Sequence, residues 1–511
     1  MSTVDSTNKV PLSKITLLLL VAGLCLLAYG VWTRSAPKDT PVQTAEEPPS
    51  PSTWGWRNDG SGRFDKVNPP SHWAFELNIK WVSKLETWSN ASPVFARGQL
   101  FFCEEPNILV AADAETGKVL WRRNVSYIDA LPEEKQEAAR AELAQFDSLD
   151  AELSEGRKGL AKRIQKLRRE PDNATAKEEV NTQTTHLNGL KKKVAKAIRY
   201  RTPETNDIIG YTSSTPITDG ERIYVLFANG VIAGFTMEGE RVWARWLGDP
   251  LTRRTGDHMN GYAYGNAASL VLLGKRLIIA YSNLMSMDAT NGATLWESDM
   301  YQDFGTPVPM RVAGVDLLAL PDGSIVRVSD GRTLKEGLAY TWYIGPTAFE
   351  DKLFVMGSGS DEELLAEDKA KAVGYQLSFD KQGNLVTKEL WNTDIHGDRY
   401  YATPLYYEGQ LYNISRLGVL VSIDARTGRV KYEEKLPVEG SQVFSSPAAA
   451  GGKIFINTEM GLTLVVAHGP KYKLLHKNLL MPTRSTPFFA GDEMYIRAEN
   501  GLYAIKEPSK N

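Results

Sequence analysis

The feature that most limits what this chain can become is a short phrase that returns. "AADAETGKVLW" ends at Trp121, "SMDATNGATLW" at Trp296 and "SIDARTGRVKY" at Tyr432. A second mark precedes it at a nearly constant distance. Pro93 lies 28 residues before Trp121, Pro216 lies 27 before Trp243, and Pro404 lies 28 before Tyr432, while Ala268 stands 28 before Trp296. Further Ser/Thr-Pro steps end at Pro307, Pro447 and Pro487, and Gly345-Pro346 takes the same place. Where nothing is inserted, the next start follows the aromatic by 11 to 15 residues, so the period is about 40. That length belongs to the four-stranded blade of a β-propeller. Within a unit, as in "GQLYNISRLGVLVSIDA", apolar and polar residues alternate on a two-residue period and glycines mark the hairpins.

The phrase reads physically as a turn. Asp113, Asp288 and Asp424 open the connection between third and fourth strands, each carboxylate accepting backbone N–H groups across it. Gly117, Gly292 and Gly428 supply the positive φ this turn needs. The aromatics Trp81, Trp121, Trp243, Trp296, Trp391 and Tyr432 then place a flat ring against the neighbouring blade. A recurring aspartate invites a metal or acid/base reading, but copies held in separate blades cannot converge.

The starts at Pro93, Pro216, Ala268, Pro307, Pro346, Pro404, Pro447 and Pro487 number eight. The last unit runs out of chain before its fourth strand. "NIKWVSKL" at 78–85 carries Trp81 and is free to supply it, which closes the ring and leaves no open sheet edge. The predicted fold class is all-β: an eight-bladed β-propeller over 54–130 and 201–508.

Two insertions interrupt the period. Residues 131–200 read as an antiparallel coiled-coil hairpin. Leu143, Phe146, Leu153, Leu160, Ile164 and Leu167 follow a heptad register, as do Val180, Leu187, Leu190, Val194 and Ala197 beyond the helix-breaking "REPDNA". "LKKKVAKAIRYR" (190–201) reads as a solvated basic face, or as a contact for anionic lipid or an acidic partner. "SDEELLAEDKAKA" (360–372) reads as a short helical excursion within the fifth blade.

Ahead of the repeats, "ITLLLLVAGLCLLAYGVW" (15–32) runs without a charge for about the length of a membrane-spanning helix. It predicts residues 1–14 as a cytoplasmic N-terminus, 15–33 as a transmembrane signal anchor and 34–53 as a Pro-rich linker. The alternative is a cleaved signal peptide with "AYG" (28–30) as its site. Either way the propeller is expected outside the cytoplasm, on the periplasmic side of an inner membrane. A net charge of -3 gives no general attraction to nucleic acid. The two cysteines, Cys25 and Cys103, form no disulfide framework, and six scattered histidines show no zinc spacing.

The three phrases resemble the repeat of the PQQ-like (quinoprotein-type) β-propellers, which include both pyrroloquinoline-quinone dehydrogenases and non-enzymatic, BamB-like proteins. The preface "WGWRNDGSGRFDKVNPPSHWAFELNIKW" (54–81) is similar to their lead-in, and the likeness spans about 54–508 without the hairpin. It implies the propeller fold strongly and an activity weakly, because one fold hosts both enzymes and scaffolds. The alcohol-oxidising members typically carry an adjacent Cys-Cys pair and a calcium-binding Glu/Asn/Asp set. This chain lacks adjacent cysteines and shows no matching calcium set.

The expected function is therefore that of a membrane-anchored scaffold, without cofactor, catalytic residues or metal, that binds an unidentified protein. Envelope or outer-membrane protein assembly is a possible setting. The alternatives are a PQQ-dependent oxidoreductase using calcium, and a polysaccharide- or ligand-binding propeller. The loops entering the innermost strands are rich in aromatic and polar residues and converge at one end of the channel. From them Trp88, His258, Tyr262, Tyr264, Tyr301, Phe304, His396, Arg399, Tyr400 and Arg484 are the candidate binding residues, against the plainer reading that they plug the channel or pack between blades.

Overall fold

The computed structural model describes residues 54–74, 77–196, 205, 208–248, 266–281, 283–301, 304–339, 341, 343–358 and 369–507. They form eight separate sheets, each built on four antiparallel strands, with a fifth strand added to one of them. Blade 1 pairs Val94–Ala96, Gln99–Glu104, Ile108–Asp113 and Val119–Asn124 in chain order. Blades 2 to 8 begin at Ile217–Thr218, Val271–Leu273, Val308–Val312, Thr347–Phe349, Leu405–Tyr407, Ala448–Ala450 and Phe488–Ala490. The first strand of each blade is innermost. Blade 8 takes its outermost strand from Ile79–Lys84, which pairs antiparallel with Gly501–Ile505 and sets Val82 opposite Tyr503. The ring is thus closed by the front of the folded chain, as the repeat count requires.

The small-Pro step that sets the period has a cause. Just before the innermost strand of seven of the eight blades, a backbone N–H donates to a hydroxyl at the same position of the next blade. Ser92 N donates to Thr215 Oγ1 (3.1 Å), Thr215 N to Ser269 Oγ (3.1 Å) and Ser269 N to Thr306 Oγ1 (2.9 Å). The series resumes with Gly345 N to Thr403 Oγ1, Thr403 N to Ser446 Oγ, Ser446 N to Thr486 Oγ1, and Thr486 N back to Ser92 Oγ. Buried bonds of this kind contribute about 1 kcal/mol each and oblige neighbouring blades to share one level. Gly345 has no hydroxyl to offer Thr306. A Cβ there would lie 2.3 Å from the Thr306 carbonyl oxygen, so the two backbones close the gap instead. The same ring corrects the register of blade 3: Ser269 is its hydroxyl residue, so Leu270, and not Ala268, stands in the proline position.

The recurring phrase makes the outer seams. Each indole N–H donates to a carbonyl in the third-to-fourth-strand turn of the next blade. Trp81 reaches Ala114, Trp121 reaches Met237, Trp243 reaches Ala289, Trp296 reaches Val328 and Trp391 reaches Ala425, at 2.8–3.1 Å. The indole then lies flat on the turn glycine: a Cβ on Gly117, Gly239, Gly292, Gly331 or Gly428 would fall 2.5–2.7 Å from it. The aspartates serve the turns, Asp113 accepting from Thr116 N and Oγ1, Asp288 from Thr290, and Asp424 from Thr427. Tyr432 instead sets its ring edge-on to Tyr472 of blade 7.

One end of the channel is filled by the segment before blade 1. Trp54 bridges Thr218 of blade 2. Gly60 lies beside Pro309 of blade 4, and the fully buried Arg57 donates to the carbonyls of Pro404 and Pro447. Burial pulls the Arg57 guanidinium down to about 9. Arg63–Phe64 then pairs parallel with Ala449 and Ala450 on the channel side of blade 7. Trp73, 1% exposed, packs with Phe455 and Val465 of blade 7 and Phe488 and Ile496 of blade 8 before the chain reaches its closing strand.

The helical insertion is a two-helix hairpin of Glu133–Arg169 and Ala174–Lys196. Leu153, Leu187 and Leu190 form its seam, with Leu149, Leu160 and Val194 against them. Leu143 and Ala139 instead join the core of blades 1 and 2, which roots the hairpin on the propeller. Ala197 lies outside the described residues. The excursion expected at 360–372 is not helical where it is described. Lys369–Phe379 is a strand, with Ala370 and Ala372 buried and Lys369 and Lys371 beside Asp394. An Ala/Lys run has high helix propensity, but its two-residue alternation fits the sheet better. No helix among the described residues is long and apolar enough to cross a membrane, and the apolar run at 15–32 lies outside them.

Candidate functional site

The end of the channel opposite the lead-in is built from the loops that enter the innermost strands, and the hydroxyl ring controls what they display. With the hydroxyl residue pinned inward, the residue two places earlier turns out. These positions are Asn90, Ser213, Ala267, Phe304, Tyr343, Tyr401, Phe444 and Arg484, all partly exposed, while the residue that follows each is buried. One such side chain per blade rims the mouth of the channel.

Five of them form a continuous arc. Phe304 stacks on Tyr343 with ring centres 5.9 Å apart, and Tyr343 meets Tyr401 edge-on at 5.0 Å. Tyr401 lies parallel to Phe444 at 5.0 Å and 3°, and the Arg484 guanidinium sits 5.0 Å from the Phe444 centroid. Such stacks add roughly 0.5–1.5 kcal/mol per pair and hold each ring in place before any ligand arrives. On the other side of the rim the polar residues Asn90 and Ser213 are already engaged by the segment at Ile208–Ile209. Asn90 Nδ2 donates to the carbonyls of Ile208 (2.6 Å) and Ile209 (3.0 Å), and Arg484 Nη1 donates to that of Ile208 (2.9 Å).

The described carboxylates here are tied to the fold. Glu105 accepts from Tyr211 N and Thr212 N at 2.9 Å. Burial pushes its carboxyl up, while the bonds from Thr212 and Tyr211 pull it back down. Asp398 accepts from Arg399 N and Leu417 N, and Glu459 accepts from Arg484 Nε at 3.1 Å. Glu104, fully buried, accepts from Glu86 N and Arg122 Nε. None of these carboxylates converges on another, and the described residues contain no group of three potential metal ligands. Cys103 is buried in the core of blades 1 and 2.

The candidates read from sequence fall into three groups. Phe304 and Arg484 lie on the arc, and Trp88 packs over Gly210 at the same end. Tyr400 turns inward: it is 3% exposed, packs on Gly357 and donates to the His396 carbonyl at 2.6 Å. His396 ends an outer strand, where its N–H reaches Glu433 of blade 6, and Arg399 pairs through its backbone with Arg416. Tyr301 belongs to the strand Thr294–Tyr301, opposite Asn283. His258, Tyr262 and Tyr264 lie outside the described residues.

Sequence reading passed over Tyr343, Tyr401 and Phe444. The signal was present, since each stands three residues before its proline, as Phe304 and Arg484 do.

No family model matches this chain, and no curated protein matches it. Among solved structures it is similar to BamB from Moraxella catarrhalis, at 10% identity over 83% of this chain and 99% of that one, with a TM-score of 0.47. The computationally designed Ika8 protein gives 10% identity, 83% and 98% coverage and a TM-score of 0.47. A europium-containing methanol dehydrogenase gives 10% identity, 74% and 73% coverage and a TM-score of 0.37. The propeller assignment stands on the strand order of this chain.

Proposed function

We propose that this chain is a non-catalytic scaffold that binds a protein partner at the mouth of its propeller. The arc of preorganised aromatic rings ending in Arg484 carries the reading, because rigid aromatics and arginine are what interface anchors are made of. The carboxylates around it already serve backbone amides and arginines, an arrangement suited to holding loops still. The helical hairpin is a second contact surface. The apolar run at 15–32 would tether the propeller to an inner membrane on its periplasmic side. Envelope or outer-membrane protein assembly is the process we attach to it, from the likeness of its repeat to BamB-like propellers.

Crosslinking followed by pull-down from intact membranes tests the reading. A partner should be recovered, and deleting 131–200 from a still-folded propeller should weaken its capture. The competing reading, a PQQ-dependent oxidoreductase, predicts dye-linked oxidation of alcohols or sugars after PQQ and calcium are added. Turnover under those conditions would replace the scaffold with an enzyme.

A further inference from the structure

The scaffold reading leaves the partner's chemistry open, and the mouth itself narrows it. We infer that the arc Phe304–Tyr343–Tyr401–Phe444 binds an apolar polypeptide segment of the partner. This specifies the ligand of the site proposed above and rests on that proposal.

The first ground is that the rim already grips a polypeptide backbone. Asn90 and Arg484, at equivalent positions in adjacent blades, donate to successive carbonyls at Ile208 and Ile209. The gripped residues Ile208 and Ile209 form a turn, so the donors hold main-chain carbonyls with little regard to side-chain sequence, and the surface alongside then selects the side chains. The in-chain segment covers the polar part of the rim, and the aromatic arc continues from Arg484 on its other side.

The second ground is what flanks the arc. Leu417 and Met460 occupy tight turns of blades 6 and 7 and are 45% and 61% exposed. Leu417 N is tied to Asp398, in the loop that carries Tyr401, and Met460 N is tied to Ser441, in the loop that carries Phe444. Apolar side chains beside a row of rings suit an apolar peptide. A sugar would call for hydrogen-bonding groups in those places. The lead-in fills the other end of the channel, so the segment lies across the mouth and does not thread it.

The test uses the purified full chain in detergent against an array of short immobilised peptides that vary apolar, aromatic, polar and charged content. The tightest peptide is then titrated in solution by fluorescence anisotropy. Apolar peptides should bind. The pair Tyr401→Ser with Phe444→Ser should weaken binding at least about tenfold. Met460→Ser, on a surface turn where folding is not at stake, should weaken it less. Leu120→Ser, on the outer strand of blade 1, should leave it unchanged. The inference fails if no peptide exceeds polar controls, if the double variant binds like the parent, or if cello- or malto-oligosaccharides bind the arc in place of peptides. Should the membrane partner still be captured in any of those cases, the scaffold stands and only the mouth assignment falls. PQQ-dependent turnover would remove the scaffold itself.

Discussion

The two ends of this propeller's channel are made of the same repeat and treated oppositely. At one end, Arg57 and Phe64 of the lead-in are buried against several blades, and on the same side Trp73 is buried farther out, beside Asn478 of the outermost strand of blade 7. At the other, the loops display one partly exposed side chain per blade, and on five consecutive blades those form the arc from Phe304 to Arg484. The difference teaches how a repeat divides its labour. Positions that face a neighbouring blade are fixed by packing, whereas positions that face the rim are free to vary, and there chemistry accumulates.

Breaking the closed end should cost most. Removing residues up to 85 strips blade 8 of its closing strand and takes Trp81 from its seam with Ala114. The expected outcome is loss of a single cooperative unfolding transition in calorimetry. Trp73→Ala is next: emptying so large a buried site should cost about 3–5 kcal/mol in a denaturant titration. At the mouth, Phe444→Ala should cost less, about 1–2 kcal/mol, because the ring is partly exposed and loses only its contacts with Tyr401 and Arg484. Equal losses for Trp73 and Phe444 would erase the distinction between the two ends.

Acidity offers the finest comparison. The turn aspartates sit on the closed side, since Ala114 N bonds back to Gly98 in the hairpin of the innermost strands. The Thr116 hydroxyl and amide hold Asp113 below the usual carboxylate range, and Thr290 does the same for Asp288. Their contribution is present above about pH 4 and is lost as pH falls through the depressed folded values. Glu105 at the mouth is shifted the other way, by burial. Its contribution is full below about pH 4 and declines as pH rises through the raised folded value. Melting temperatures across pH should therefore show Asp113→Asn less stable than the parent at neutral pH, with a shallower acid limb. Glu105→Gln should be at least as stable as the parent at neutral pH, its amide oxygen still accepting from Thr212. A Glu105→Gln protein that melts lower at neutral pH would show that the bonds outweigh the burial.

Much of this was legible in the chain because period and turn chemistry are local. Asp113, Gly117 and Trp121 define a strand, a turn and an aromatic within one short stretch, and a strand wanting a partner in the last repeat matches a strand offered ahead of the first. The sequence by itself determined the number of blades, the closing strand and the hairpin, since alternation, heptads and spacing act between near neighbours. Tertiary structure alone decided that the lead-in enters the channel, that Tyr400 turns inward while Tyr401 turns out, and that Phe304, Tyr343, Tyr401 and Phe444 meet. Those outcomes depend on which residues from distant repeats arrive at the same level of the ring. That level is set by the hydroxyls of Ser92, Thr215, Ser269 and their counterparts, bonds between blades that no single repeat contains.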